Sequence, residues 1–113
     1  MNQYWVYIIS NFNRTTLYIG VTNDLERRML EHKAGIGSKF SSKYKLKNLL
    51  YYEVLPSISD AIEREKQLKN WHRAWKLNLI KEINPEMKDL AEEWFTNEDI
   101  DEFIQNQDYI NKK

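Results

Sequence analysis

The chain has no cysteine, only two prolines and three glycines in 113 residues, and a formal net charge of zero. Each shortage excludes something. Without thiols there are no disulfides and no thiolate metal centre, and two histidines cannot by themselves make a structural zinc site. No apolar run approaches the roughly 20 residues needed to cross a bilayer, and the opening MNQYWVYIIS lacks the basic lead and long apolar run of a secretion signal. There is no internal repeat and no low-complexity run. A soluble protein of the cytoplasm is expected, and no membrane partner. What is present, 42% hydrophobic and 13% aromatic residues, supports one compact core and by default one domain.

The zero net charge hides an asymmetry. Residues 1–80 hold 13 Lys and Arg against 7 Asp and Glu, giving +6, while residues 81–113 hold 4 against 10, giving −6. A basic body can meet phosphates. The acidic segment suits a solubilising tail, a cover over the basic surface, or a docking site for a protein partner.

Hydrophobic periodicity predicts the elements. Residues 3–10 alternate and are rich in Tyr, Trp, Val and Ile, which reads as a strand, and residues 15–21 read as its hairpin partner. A glycine turn at Gly20 and a capping box of Asn23 and Glu26 then start a helix running to about Ala34. The stretch GIGSKFSSKYK reads as a loop, residues 49–55 as a third strand, and helices follow from a cap at Ser59 to Asn70 and from His72 to Ile83. Pro85 opens a further predicted helix with Met87, Leu90, Ala91 and Trp94 on one face. A weak amphipathic piece around Ile100, Phe103 and Ile104 leads to a polar end expected to fray. The fold class is α+β: a three-stranded mixed or antiparallel sheet flanked by helices. The hairpin argues against a doubly wound parallel fold. Residues 1–83 are expected to form the domain, and 84–113 an acidic helical extension and tail.

Spacing also separates residues that composition treats alike. On the first helix Leu25, Met29 and His32 fall at i, i+4 and i+7 with Arg28 beside them, while Arg27 points nearly opposite. On the Ser59 helix Ile58, Ala61, Ile62 and Leu68 define an apolar face, and Glu65, not Glu63, falls in its middle. A carboxylate there persists when it is paired, for instance with Arg28, or when it holds a hard cation. Tyr7 and Tyr18 lie on paired strands and can project from one face, where ordinary aromatic packing is the plain alternative. Tyrosine, arginine, histidine and carboxylate together cover the needs of phosphodiester hydrolysis.

Read in order, Trp5-Val6-Tyr7, Tyr18-Ile19-Gly20, Arg28 ten residues past the second tyrosine, His32 four further on, and the Ile-Glu-Arg-Glu phrase around Glu65 resemble the GIY-YIG nuclease superfamily. In particular the chain resembles its small stand-alone YhbQ-like bacterial group, over roughly residues 3 to 82. Trp5 stands where the first motif of the family has its glycine, a variation in strand packing. The resemblance implies a ββαβα scaffold and metal-dependent hydrolysis of DNA, with Tyr7 or Tyr18 positioning or deprotonating the attacking water. It further implies that Arg28 stabilises the phosphorane charge, that His32 assists proton transfer or holds a phosphate oxygen, and that Glu65 ligates one Mg²⁺ (or Mn²⁺).

Lys39, Lys43 and Lys45 in the glycine–serine loop, with Lys69 and Arg73 and their neighbours Arg64, Lys66 and Lys76, supply charge that reads phosphates and not sequence. Trp71 and Trp75 are expected in the core. An endonuclease of low sequence specificity, or one directed by DNA structure, is the reading these features favour. Two alternatives come from other classes: a non-catalytic nucleic-acid-binding module, and a protein-interaction domain working through the acidic helix that carries Trp94.

Overall fold

The computed structural model describes the backbone of residues 3–111 and the side chains of 3–107. Strand β1 (Tyr4–Ser10) pairs antiparallel with β2 (Leu17–Thr22) on one side and with β3 (Asn48–Leu55) on the other, in the order β2-β1-β3. The sheet is therefore antiparallel throughout. Being central, β1 is covered on both faces, and its period of two splits its side chains between them. Val6 and Ile8 join a cluster with Ile19, Ala61, Leu68 and Ile80, whereas Tyr7 and Ile9 join Leu25, Met29, Leu46 and Leu49. Directly opposed residues of an antiparallel pair share a face. The register Tyr7↔Gly20 and Ile9↔Tyr18 accordingly puts both tyrosines on the second of these faces.

Helix α1 (Leu25–Lys33) covers the tyrosine face with Leu25, Met29 and His32. Helices α3 (Ile58–Asn70) and α4 (Arg73–Ile83) cover the other face with Ala61, Leu68 and Ile80. The caps fall differently from the sequence reading. Asp24, not Asn23, is the N-cap of α1 and accepts from the Arg27 amide, because its carboxylate is the stronger partner for the positive end of the helix. Ser57 caps α3 two residues before Ser59. Ile58 and Ile62 are 45% and 42% exposed, so the inward stripe of α3 is narrower than its sequence suggests. The expected loop contains a short helix, α2 (Lys39–Lys43), capped by Ser38 on the Ser41 amide and stopped at Lys45, whose φ is +56°.

The largest departure is the segment 84–95, which forms no helix. Its polar groups are engaged elsewhere. β3 carries a bulge at Leu50, and the freed Leu50 carbonyl accepts from the buried Asn84 Nδ2 at 3.0 Å. Asn84 also holds Lys88 through both its carbonyl and its amide. Asp89 accepts from the Leu49 amide at 2.9 Å and pairs with Lys33 at 2.6 Å, and the Leu90 amide donates to Leu49 O at 2.7 Å. A helix here would have drawn the Lys88 and Leu90 backbone groups into its own ladder, whereas in this arrangement they and the Asn84 and Asp89 side chains cover the exposed edge of β3. Ala91 ends fully buried in the tyrosine-face cluster. Helix α5 (Asn97–Asn111) begins at a reciprocal cap, Thr96 with Asp99, and touches α1 where the Arg27 guanidinium lies 5.9 Å from the Phe103 ring. Residues past Asn111, part of the end expected to fray, lie outside the described residues. No helix among the described residues is long and apolar enough to cross a membrane.

Candidate active site

Two glycines make room for the centre of the site. Gly20 lies within β2 and not in a turn, and a Cβ there would fall 2.4 Å from Tyr7 Oη, so the Tyr7 ring crosses the partner strand at its only residue without a side chain. A Cβ on Gly37 would fall 2.2 Å from His32 Nδ1. Tyr7 and His32 are both almost wholly buried.

Around them runs a single chain of hydrogen bonds. Arg28 Nε donates to Tyr7 Oη at 3.3 Å, and Tyr7 Oη lies 2.9 Å from His32 Nε2. His32 Nδ1 lies 3.1 Å from Ser41 Oγ, which in turn meets Ser38 Oγ at 2.9 Å and Ser38 O at 3.3 Å. One assignment of protons satisfies every member: Tyr7 donates to Nε2, Nδ1–H donates to Ser41, and Ser41 donates to the Ser38 carbonyl. The electrostatics agree with it. Burial, reinforced by the Arg28 charge, pushes His32 down to about 4, so its imidazole is neutral at physiological pH. Burial raises Tyr7 to about 12, against the lowering effect of the Arg28 hydrogen bond, so Tyr7 is a phenol and a donor.

Arg28 is held from two sides, by Tyr7 and by Glu31 Oε1, which accepts from Nη1 at 2.9 Å. Burial lowers its pKa, but the bonds to Glu31 and Tyr7 outweigh that and leave it raised overall. It lines an open groove of about 480 Å³ together with Val21 and Thr22 at the end of β2 and Ile58 at the start of α3. That groove follows the outer edge of β2, where elements from the two faces of the sheet meet. Arg27 also lines it but points outward, 3.8 Å from Glu31, so periodicity separated the two arginines as the structure does. Tyr18 is half-buried; its ring centroid lies 6.3 Å from that of His32 and 5.9 Å from that of Phe40.

Tyr7, Tyr18, Arg28 and His32 are thus brought together. Glu65 is placed apart. It sits on the inward stripe of α3 between Ala61 and Leu68, the helix that covers the opposite face, and its carboxylate bonds Lys69 at 2.9 Å. Among the described residues it makes no ion pair with Arg28, whose acidic partner is Glu31. The described residues hold no cluster of three metal-ligating side chains. Magnesium does not require one, because it keeps most of its waters and is commonly held by one or two carboxylates and a substrate phosphate. Glu65 fits that demand, since an i,i+4 pair with a Lys69 side chain half open to solvent is weak and exchangeable.

Comparison with known proteins matches residues 3–78 to the GIY-YIG catalytic domain. The chain belongs to the GIY-YIG family. It is 39% identical over 87 residues to a UPF0213 protein of Syntrophus aciditrophicus, covering 76% of this chain and 98% of that one. It is 33% identical over 82 residues to the UPF0213 protein SSP2268 of Staphylococcus saprophyticus, covering 73% and 99%. The solution NMR structure of the UPF0213 protein BH0048 from Bacillus halodurans superimposes with a TM-score of 0.50 at 25% identity, covering 80% of this chain and 97% of that one. The GIY-YIG domain places the chain in a nuclease family, with the α+β architecture of that neighbour. These relatives are aligned nearly end to end, so what exceeds them here is length that they do not share.

The basic residues expected to meet DNA divide in two. Lys39, Lys43 and Lys45 are exposed on and beside α2, next to Tyr18 and His32. Lys69 pairs with Glu65, and Arg73 Nη2 donates to Arg14 O at 2.6 Å, tying α4 to the β1–β2 turn. Arg64 is not a surface contact: it pairs with Glu53 at 2.6 Å, while Tyr51 donates to the same carboxylate. Trp71 is half-buried, but Trp75 is 54% exposed and packs edge-on against Trp71 and His72, which corrects its expected place in the core. Sequence reasoning missed Ser38, Ser41 and Glu31. The Ser38/Ser41 spacing is a visible cap signal, but nothing local marks Ser41 as the partner of a histidine nine residues earlier.

Proposed function

We propose that this chain is a metal-dependent endonuclease that hydrolyses DNA phosphodiester bonds with little demand on sequence. The observation that carries the reading is the hydrogen-bonded chain from half-buried Arg28 through buried Tyr7 to buried His32, with the Tyr18 ring beside it at a basic surface. A purely structural cluster has little use for an arginine beside an open groove whose Nη2, among the described residues, makes no hydrogen bond. In this scheme Arg28 donates to a non-bridging phosphate oxygen and meets the charge that builds on it. His32 and Tyr7 are positioning residues that fix the guanidinium plane; neither changes protonation state at neutral pH. Tyr18, the tyrosine nearer the surface, orients the attacking water. Glu65, which lies on the helix across the sheet from the Arg28–Tyr7–His32 chain, would hold Mg²⁺ or Mn²⁺ in place of its Lys69 partner, and a metal bound there would supply positive charge and a more acidic water. Exposed lysines beside α2 hold the backbone without reading bases, which supports low sequence demand.

The test is strand cleavage with Mg²⁺ or Mn²⁺, comparing wild type with Arg28→Ala and Glu65→Gln at matched DNA affinity. Arg28→Ala is expected to slow cleavage by about 10²–10³, and Glu65→Gln to lose the cleavage that Mg²⁺ or Mn²⁺ supports in wild type. Cutting at wild-type rates in both variants sinks the reading. One observation favours a second: the Glu65–Lys69 pair suits a non-catalytic nucleic-acid-binding module. That module predicts salt-sensitive DNA affinity with no cleavage under any divalent metal.

A further inference from the structure

Helix α2 carries a feature that phosphate contacts leave unexplained. Phe40 and Tyr44 are one turn apart, and both show large rings to solvent, 45% and 43% exposed. They do not stand alone. The Tyr18 and Phe40 rings stack at 5.9 Å with 28° between their planes, and Phe40 and Tyr44 lie 4.7 Å apart at 49°. The rings of Tyr18, Phe40 and Tyr44 form one ladder from the candidate catalytic centre to the surface, since Tyr18 also lies 6.3 Å from His32. Charge frames it: Lys39, Lys43 and Lys45 are exposed, Lys43 Nζ sits 5.4 Å from the Tyr44 ring centroid, and no Asp or Glu occurs between Glu31 and Glu53.

The ladder is also held rigid. Ser41 is buried and bonded to His32, Ser42 Oγ donates to Gly35 O, and Ser38 and Lys45 close the two ends of α2. A solvent-exposed aromatic row that is fixed in place and lined by cations is the arrangement that stacks unpaired bases while its charges follow the backbone. Double-stranded DNA keeps its bases inside the helix and has no free face to offer.

We infer that Phe40 and Tyr44 form a base-stacking platform continuous with Tyr18, and that the strand entering the site is single-stranded or locally unpaired DNA. This rests on the nuclease reading for the position of the cut, while the binding itself does not.

The test measures fluorescence anisotropy of the full chain with a 12-nucleotide labelled oligothymidylate and with a blunt duplex of the same length, in EDTA so that nothing is cut. The proteins are wild type, Phe40→Ala, Tyr44→Ala, Phe40→Leu and Phe40→Trp, each checked by thermal melting. Wild type is expected to prefer the single strand. Each alanine variant should weaken that binding by about ten-fold with duplex affinity unchanged; Phe40→Leu, of similar bulk, should behave like the alanine, and Phe40→Trp should restore binding. If Phe40→Leu binds oligothymidylate like wild type, or if single-strand and duplex affinities fall together, the platform is overturned. A parallel cleavage assay with Mg²⁺ separates the two ideas. Ring-dependent single-strand binding without cleavage by wild type removes the nuclease and keeps the platform. Cleavage of duplex and single strand alike, indifferent to Phe40 and Tyr44, removes the platform and keeps the nuclease.

Discussion

Gly20 and Gly35 are glycines for different reasons, and substitution separates them. At Gly20 the backbone is ordinary strand, but a Cβ would meet a buried tyrosine ring that has nowhere to go. Gly20→Ala is expected to cost about 1–3 kcal/mol by denaturant unfolding and to break the Tyr7–His32 bond. At Gly35 there is open space and a φ of +79°, so alanine there costs only the left-handed strain, about 1–2 kcal/mol, and leaves the site intact. His32 gives a second prediction. Its folded value of about 4 lies below the ordinary 6.5, so between those values the unfolded chain binds a proton that the folded chain refuses. Stability is therefore full above pH 6.5 and falls as pH drops from 6.5 to 4, by up to about 3 kcal/mol. Unfolding curves between pH 4 and 8 check this; a wild-type profile no steeper than that of His32→Asn would refute it. Arg28 and His32 were legible from the 3.6-residue period alone. Their protonation states were not, because they depend on burial by α2 and on residues 21 and 25 positions away.

Among the elements, the segment after Asn84 shows how a plausible helix loses. Its apolar spacing satisfies a helical period, yet β3 presents a bulge carbonyl and an open edge, and Asn84, Asp89 and Leu90 are placed to satisfy them. Three hydrogen bonds converge on the buried Asn84 side chain, so Asn84→Ala is expected to cost about 3 kcal/mol, measured by urea unfolding. A loss below 1 kcal/mol would mean that the segment is held mainly by Ala91 and its apolar neighbours. Helix α2 went unread for the opposite reason. Five residues are too few for periodicity to register, and glycines on its N-terminal side read as a loop. The start of α5 was readable, since Thr96 and Asp99 have the spacing of a reciprocal cap.

Across the whole molecule, the +6 body and −6 remainder would steer nucleic acid toward the body under the proposed function. If Lys39, Lys43 and Lys45 make the phosphate contacts, three neutralised charges give a slope of about −2 for log affinity against log salt on a single strand. Raising salt from 50 to 200 mM should then weaken oligothymidylate binding by about twenty-fold. Replacing the three lysines with glutamine should remove most of that dependence, and an unchanged slope would place the contacts elsewhere. The sequence by itself determined the alternation of β1 and β2, the inward face of α1 and the α+β class, because side-chain period is a local property of the chain, and its motif order marked Tyr7, Tyr18, Arg28 and His32 as one group. Only the tertiary structure decided that Arg28 pairs with Glu31, that Glu65 bonds Lys69 from the other face of the sheet, that Tyr7 is a buried phenol, and that residues 84–95 seal an edge. Those outcomes are set by which groups from distant segments compete for the same partner and by how much water is left around them.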